Sequence, residues 1–238
     1  MDSAIRSAQN EVLKAFSKRP GRFALAGGTA LELFYLHHRF SADLDFFSPE
    51  WDSLEVERLA AVFQKASGRR VRLESELEAA RKARVRFYTI PVKGAGRPLK
   101  IDFVEDVLFR KPVIRRRARV PVYSAENIYL QKIAAIAGTR SGLDDLGREV
   151  SEGRGEPRDV FDLYMLSRSV QPLHRFLPRA PLTWQQGIVH WYRTFSRQEL
   201  KLALMDLEIY DPKFDPAAMI RHLEDEVKRF TRAMVASP

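Results

Sequence analysis

Apolar positions at 5, 8, 12 and 16 recur at helical spacing, and Arg19-Pro20-Gly21 stops the run, so the chain opens with an amphipathic helix. Phe23-Ala24-Leu25-Ala26 is a short apolar run and predicts a buried strand. Residues 29–38 predict a helix with Leu31, Phe34 and Tyr35 inward, and 43–47 the next strand, closed by Ser48-Pro49. Leu54, Leu59, Val62 and Phe63 predict an amphipathic helix ending near Ser67. Three strand candidates follow, at 71–77, 85–92 and 99–104. Their alternation and the Lys93-Gly94-Ala95-Gly96 turn favour antiparallel pairing.

Beyond Ser124 the pattern becomes helical. Ser124 suits an N-cap with Glu126 in the first turn, and Tyr129, Ile133 and Ile136 form the apolar stripe. Residues 138–157 are rich in glycine and charge, and read as a long mobile loop. Pro157 suits the first position of a helix that turns Val160, Phe161, Tyr164 and Leu166 inward. Further helices are expected near Thr183, near Ser196 with its Ser-Arg-Gln-Glu capping box, and near Asp215-Pro216. The fold class is therefore α+β. Residues 1–122 form a mixed sheet with flanking helices, and 123–238 form a helical bundle that completes a cleft.

At 238 residues and 45% hydrophobic content, the chain can build a substantial core. It has no cysteine, which excludes a disulfide scaffold, a thiol nucleophile and a cysteine zinc site, and accords with a reducing cytoplasm. No apolar run reaches the roughly 20 residues of a membrane span, and the first residues lack the apolar segment of a signal peptide. The net charge of +9 favours a polyanionic partner. Basic residues cluster at Arg69-Arg70-Arg72, at Arg81-Lys82-Arg84-Arg86 and at Arg115-Arg116-Arg117-Arg119, on a sheet face or its solvated edge.

Against this background three features carry chemistry. Gly27-Gly28-Thr29 sits between a strand and a helix, where two glycines and a hydroxyl suit phosphate; a tight turn accounts for one glycine equally well. Asp43 and Asp45, at i and i+2 of a strand, project from one face with Cα atoms roughly 6.5–7 Å apart and suit a divalent metal. Asp102 lies in the apolar strand Leu99-Lys100-Ile101-Asp102-Phe103-Val104, where a carboxylate needs a partner, either an arginine or a shared metal site. Adjacent His37 and His38 point about 100° apart and read as structural. Trp184, Trp191, Tyr192 and Phe195 read as core rather than as a base-stacking platform.

Gly-Gly-Thr-Ala-Leu, followed by His38-Arg39-Phe40-Ser41-Ala42-Asp43-Leu44-Asp45-Phe46-Phe47, resembles the AbiEii-type nucleotidyltransferases of the polymerase-β-like superfamily. The helix 126–135 with Lys132, and Pro157-Arg158-Asp159-Val160-Phe161-Asp162-Leu163-Tyr164, extend the resemblance over roughly residues 20–170. The resemblance implies a nucleotidyltransferase-like N-terminal domain and transfer of a nucleotide from an NTP to a hydroxyl, on RNA (a tRNA end) first and on protein second. It implies Mg2+ or Mn2+ on Asp43 and Asp45 and catalytic parts for these two with Lys132 and Asp159; Asp102, read from its own strand, would complete a three-carboxylate metal site and accept the proton of the attacking hydroxyl. Gly27, Gly28, Thr29, Arg39, Ser41 and Lys132 would contact the nucleotide, with Asp162 as helix support; a surface pair between Arg158 and Asp162 is the plainer account of those two. A toxin role with a cognate antitoxin is implied at the family level. The alternatives are a non-catalytic nucleotide- or partner-binding module of the same fold and a metal-dependent nuclease.

Overall fold

The computed structural model describes residues 2–78, 83–138, 141–143, 149–151, 153 and 155–236. Arg81 and Lys82 of the second basic cluster, and parts of the 138–157 stretch, lie outside these residues. The chain forms two compact units. The first comprises Met1–Tyr35 and Phe40–Ser124, the second Leu36–Arg39 and Ala125–Pro238.

In the first unit, α1 (Ser3–Phe16) is capped by Asp2, whose carboxylate accepts the Ala4 and Ile5 N–H groups. β1 (Ala24–Ala26) runs directly into α2 (Gly27–Leu31), which continues as a π-helical turn over Glu32–Leu36. The helix thus begins two residues before the expected start, and its second half is wider than an α-helix. β2 (Leu44–Ser48), α3 (Ser53–Ser67), β3 (Arg72–Leu77), β4 (Val85–Ile90) and β5 (Leu99–Glu105) follow. β6 (Ile114–Arg117) and β7 (Val120–Tyr123) form a further hairpin that the hydrophobic pattern does not predict.

These strands form one mixed sheet in the order β3-β4-β5-β2-β1-β7-β6. β3, β4 and β5 pair antiparallel as expected, while β2 runs parallel to β5 and β1 parallel to β7. Alternation along β2 and β5 buries Leu44, Phe46, Ile101 and Phe103 on one face. There Phe46 meets Phe16 of α1 at 4.4 Å, and Phe103 stacks on Phe46 and on Phe63 of α3. Each such phenylalanine contributes roughly 1.5–3 kcal/mol of burial, so this aromatic cluster fixes the register of the central strands. Leu54 departs from expectation: it is 70% exposed, and α3 buries Val56, Leu59, Ala60 and Phe63 instead.

The second unit contains α4 (Ala125–Ala137), a short antiparallel pair of β8 (Ser141–Leu143) with β9 (Glu149–Ser151), and α5 (Pro157–Ser169) with Pro157 at its start. The segment read as irregular loop therefore includes paired strands. α6 (Leu173–Phe176), a 3-10 turn over Leu177–Arg179, α7 (Leu182–Thr194), α8 (Arg197–Leu204) and α9 (Pro216–Ala236) complete it. Ser196 caps α8 by accepting the Glu199 N–H, as its capping box predicts. Tyr129 stacks on Phe176 at 4.0 Å in the core of this unit. The aromatic residues of α7 are only half-buried, and Trp191 stacks on Phe195 at 4.6 Å. No described helix is long and apolar enough to cross a membrane.

Candidate active site

The sheet face opposite the aromatic cluster carries the acids. Asp45 on β2 and Asp102 on β5 are direct register partners on parallel strands, so both side chains leave the same face. Asp43 stands immediately before β2 and shares the parity of Asp45. All three are half-buried, in contrast to the sealed Leu44, Ile101 and Phe103. On the other side of Asp45 runs β1, where Ala26 is its partner. Gly27 follows with φ +68°, and a Cβ built there would overlap the Asp45 carboxylate, lying 3.0 Å from its Cγ. Glycine is required twice over at this position, by the left-handed backbone and by the approach of the acid.

Carboxylates that share one sheet face suit a divalent cation. The donors are all oxygen, the hard kind that Mg2+ and Mn2+ prefer. Among the described residues, however, no group of three or more His, Asp or Glu side chains is arranged to hold a metal ion. The three-carboxylate centre expected from the sequence is thus not closed by protein atoms alone. A carboxylate pair that leaves the remaining positions to water and substrate phosphate still suits Mg2+, which is usually held by one or two carboxylates plus phosphate.

The loop leading into Asp43 is pinned from three directions. Thr29 is fully buried, and its hydroxyl, expected to meet phosphate, donates instead to the carbonyl of Asp43 and, at 3.3 Å, to that of Ser41. The Ser41 N–H donates to Glu32 Oε2 at 2.9 Å, while Gln9 Nε2 donates to the Ser41 carbonyl at 2.9 Å. Glu32 is itself paired with Arg6, whose guanidinium lies 5.0 Å over the Phe40 ring. Thr29 and Ser41 therefore set the path of the backbone that presents the acids. Sequence reasoning missed Arg6, Gln9 and Glu32; the available signal was a polar residue on an otherwise buried helix face.

In the second unit the expected site residues are paired with one another. Lys132 on α4 contacts Asp159 at 2.6 Å and Asp162 at 2.8 Å, both on α5. Asp162 also accepts Arg39 Nε at 2.7 Å and Nη2 at 2.8 Å, and His38 Nε2 donates to it at 2.7 Å. All of these side chains are buried. Burial alone pushes the Asp162 carboxyl up, but Lys132, Arg39 and the His38 hydrogen bond outweigh it and hold it well below the usual carboxylate range. Burial pulls the Lys132 ammonium down, and Asp159 and Asp162 more than restore it. Arg39 and Lys132, expected on the nucleotide, thus have their charge balanced by Asp159 and Asp162. Asp162 does not pair at the surface with Arg158, which is exposed and bound to Glu156 at 2.7 Å. His37, with φ +45°, packs against Tyr210 at 4.7 Å. A cavity of about 290 Å³ in this unit is lined by His37, Tyr164, Arg168, Lys213 and Phe214 among others, and by none of the paired acids.

The family described as "Nucleotidyl transferase AbiEii toxin, Type IV TA system" matches residues 11–235. Two Helicobacter pylori crystal structures share the fold. A candidate nucleotidyltransferase aligns at 15% identity and a TM-score of 0.61, covering 98% of each chain. JHP933 aligns at 16% identity and a TM-score of 0.60, covering 99% of this chain and 97% of its own. No curated protein matches this sequence.

Proposed function

The chain belongs to the AbiEii family of nucleotidyltransferase toxins of type IV toxin–antitoxin systems, and on that premise we propose that it moves a nucleoside monophosphate from an NTP to a hydroxyl on RNA. The observation that carries this reading is the position of Asp45. Its carboxylate lies against the Gly27 backbone on one side and beside Asp102 on the other. Phosphate held at Gly27 would therefore lie next to two acids on one sheet face.

In this reading the Gly27 and Gly28 N–H groups receive triphosphate oxygens, since a left-handed residue beside right-handed ones turns successive amides toward an anion. Asp43 and Asp45 would hold Mg2+ or Mn2+, which when bound neutralises triphosphate charge and favours departure of pyrophosphate. Asp102 accepts the proton of the attacking hydroxyl. That oxygen forms a bond to the α-phosphorus, the bond from the α-phosphorus to the bridging oxygen breaks, and pyrophosphate leaves. Thr29, Ser41, Glu32 and Gln9 hold the Asp43 loop at fixed geometry, so catalysis rests on positioning and charge. Lys132, Arg39, Asp159 and Asp162 serve as a buried electrostatic clamp in the second unit. A cognate antitoxin follows from the family. The RNA acceptor is supported by the net charge of +9.

Incubation with each of four α-labelled NTPs, Mg2+ and total RNA tests the reading. Label on RNA with release of pyrophosphate is the expected result. Label on the protein would move the acceptor to a protein hydroxyl, shortened RNA would favour a nuclease, and NTP binding without label would leave a binding module.

A further inference from the structure

We propose that the β6–β7 hairpin is the surface on which the first unit grips the backbone of an RNA, resting on the reading above only for the class of partner. Residues 107–125 contain six cations and no acid: Arg110, Lys111, Arg115, Arg116, Arg117 and Arg119. All six are exposed. None is ion-paired with a described residue, whereas the arginines of β4 and its approach are neutralised. Arg84 pairs with Glu105 at 2.8 Å, and Arg86 with Glu76 at 2.9 Å and Glu57 at 3.2 Å. Among the described residues the two arginine-rich segments therefore differ: Arg84 and Arg86 are neutralised by acids, and the cations of the hairpin are not.

The hairpin is built to hold that charge still. β6 is the terminal strand of the sheet and wholly exposed, while its partner β7 is wholly buried. The base of β7 is fixed by the Tyr123 hydroxyl, which donates to Asp106 at 2.8 Å, and by the Tyr35 hydroxyl, which donates to the Tyr123 carbonyl at 2.8 Å. The Arg117 guanidinium lies 5.6 Å over the Tyr35 ring. Arg115 and Arg117 project from one face of the strand and Arg116 from the other, so the cations line an edge rather than forming a point. The two turn residues, Ala118 and Arg119, have φ of +46° and +69°. Two-residue turns of this kind favour Asn-Gly, yet a β-carbon is kept at both positions and a fourth arginine at the tip. A row of cations on a rigid edge complements a phosphate backbone, without regard to base.

The test uses the full chain and a fluorescent tRNA mixture, with no NTP, followed by anisotropy from 50 to 200 mM salt. R115Q/R116Q/R119Q removes three exposed charges and spares Arg117 and its contact with Tyr35. If each arginine neutralises one phosphate, affinity falls about 10- to 100-fold and the log–log salt slope becomes shallower by about 2. Unchanged affinity and slope overturn the proposal. Two further readouts then say what replaces it. Dimerisation of the variant in sedimentation would make the arginines guards of an open sheet edge, and loss of poly-glutamate binding would make the hairpin a dock for an acidic protein. Wild-type protein that binds RNA through the hairpin but transfers no nucleotide would refute the reaction and leave this surface standing.

Discussion

Asp162→Asn changes one heavy atom and removes one charge from a buried cluster of paired side chains. In the native protein two cations, Lys132 and Arg39, face two carboxylates, Asp159 and Asp162, and Asp162 alone receives four close contacts at 2.7–2.8 Å. The asparagine side chain fits the same space but cannot accept all four, and it leaves a buried excess of positive charge. Removing one partner from a buried ion pair costs roughly 3–5 kcal/mol. That is a large part of the roughly 5–15 kcal/mol that holds a domain together. Urea unfolding at pH 7, followed by circular dichroism, should show a midpoint about 2 M lower, taking a slope near 2 kcal/mol/M. Arg158→Ala, which breaks an exposed pair with Glu156, should stay within about 0.5 kcal/mol. The pH dependence is signed as well. The native Asp162 pKa is depressed, so its contribution is complete above the ordinary value of 3.8 and is lost as the pH falls from there through the native value. Lys132 is raised, so its contribution is complete below the ordinary value of 10.5 and is lost as the pH rises through the native one. The asparagine variant should therefore lose its disadvantage in strong acid. A loss below 1 kcal/mol at neutral pH, or one that persists unchanged in strong acid, would refute the clamp.

Gly27→Ala should abolish nucleotide transfer and cost about 1–2 kcal/mol, because its β-carbon overlaps the Asp45 carboxylate on a left-handed backbone; wild-type turnover in this variant would remove Gly27 from the site. Thr29→Val keeps the shape and loses the hydroxyl that holds Asp43, so it should cost about 1–2 kcal/mol in urea titration and lower kcat more than it raises KM for NTP. A rise in KM alone would return Thr29 to direct phosphate contact. Ala118→Gly relieves a left-handed position in the hairpin turn and should stabilise by about 0.5–1 kcal/mol by thermal melting, with RNA affinity unchanged.

Local periodicity located α1, α3, α5, α8 and α9 and the β3–β5 pairing, because each has an apolar stripe, a cap or an alternating face. It missed β6–β7 for two physical reasons. Arg115-Arg116-Arg117 has no alternation, and Pro121 argues against a strand, although here it pairs with Arg116 beside the edge. The acids at 43, 45 and 102 were legible as chemistry, and their shared face follows from strand parity once β2 and β5 are neighbours. Their distance from a closed metal site was not legible, because side-chain convergence is a tertiary property. The surface-pair account of Asp162 failed for a related reason. Its i−4 neighbour Arg158 is close in sequence, but its partners His38 and Arg39 are more than 120 residues away. The hydroxyl of Thr29 could be recognised as important, though nothing in the chain order says whether it faces a ligand or the Asp43 carbonyl.

The most direct measurement is single-turnover transfer from an α-labelled NTP to tRNA by Asp45→Asn, with its fold monitored by circular dichroism. An amide in place of this half-buried carboxylate keeps the strand register and removes the charge that both Gly27 and Asp102 adjoin. The expected result is a folded protein with transfer reduced at least 1,000-fold, of order 4 kcal/mol in the barrier. Transfer at the wild-type rate by a folded Asp45→Asn protein would contradict the account.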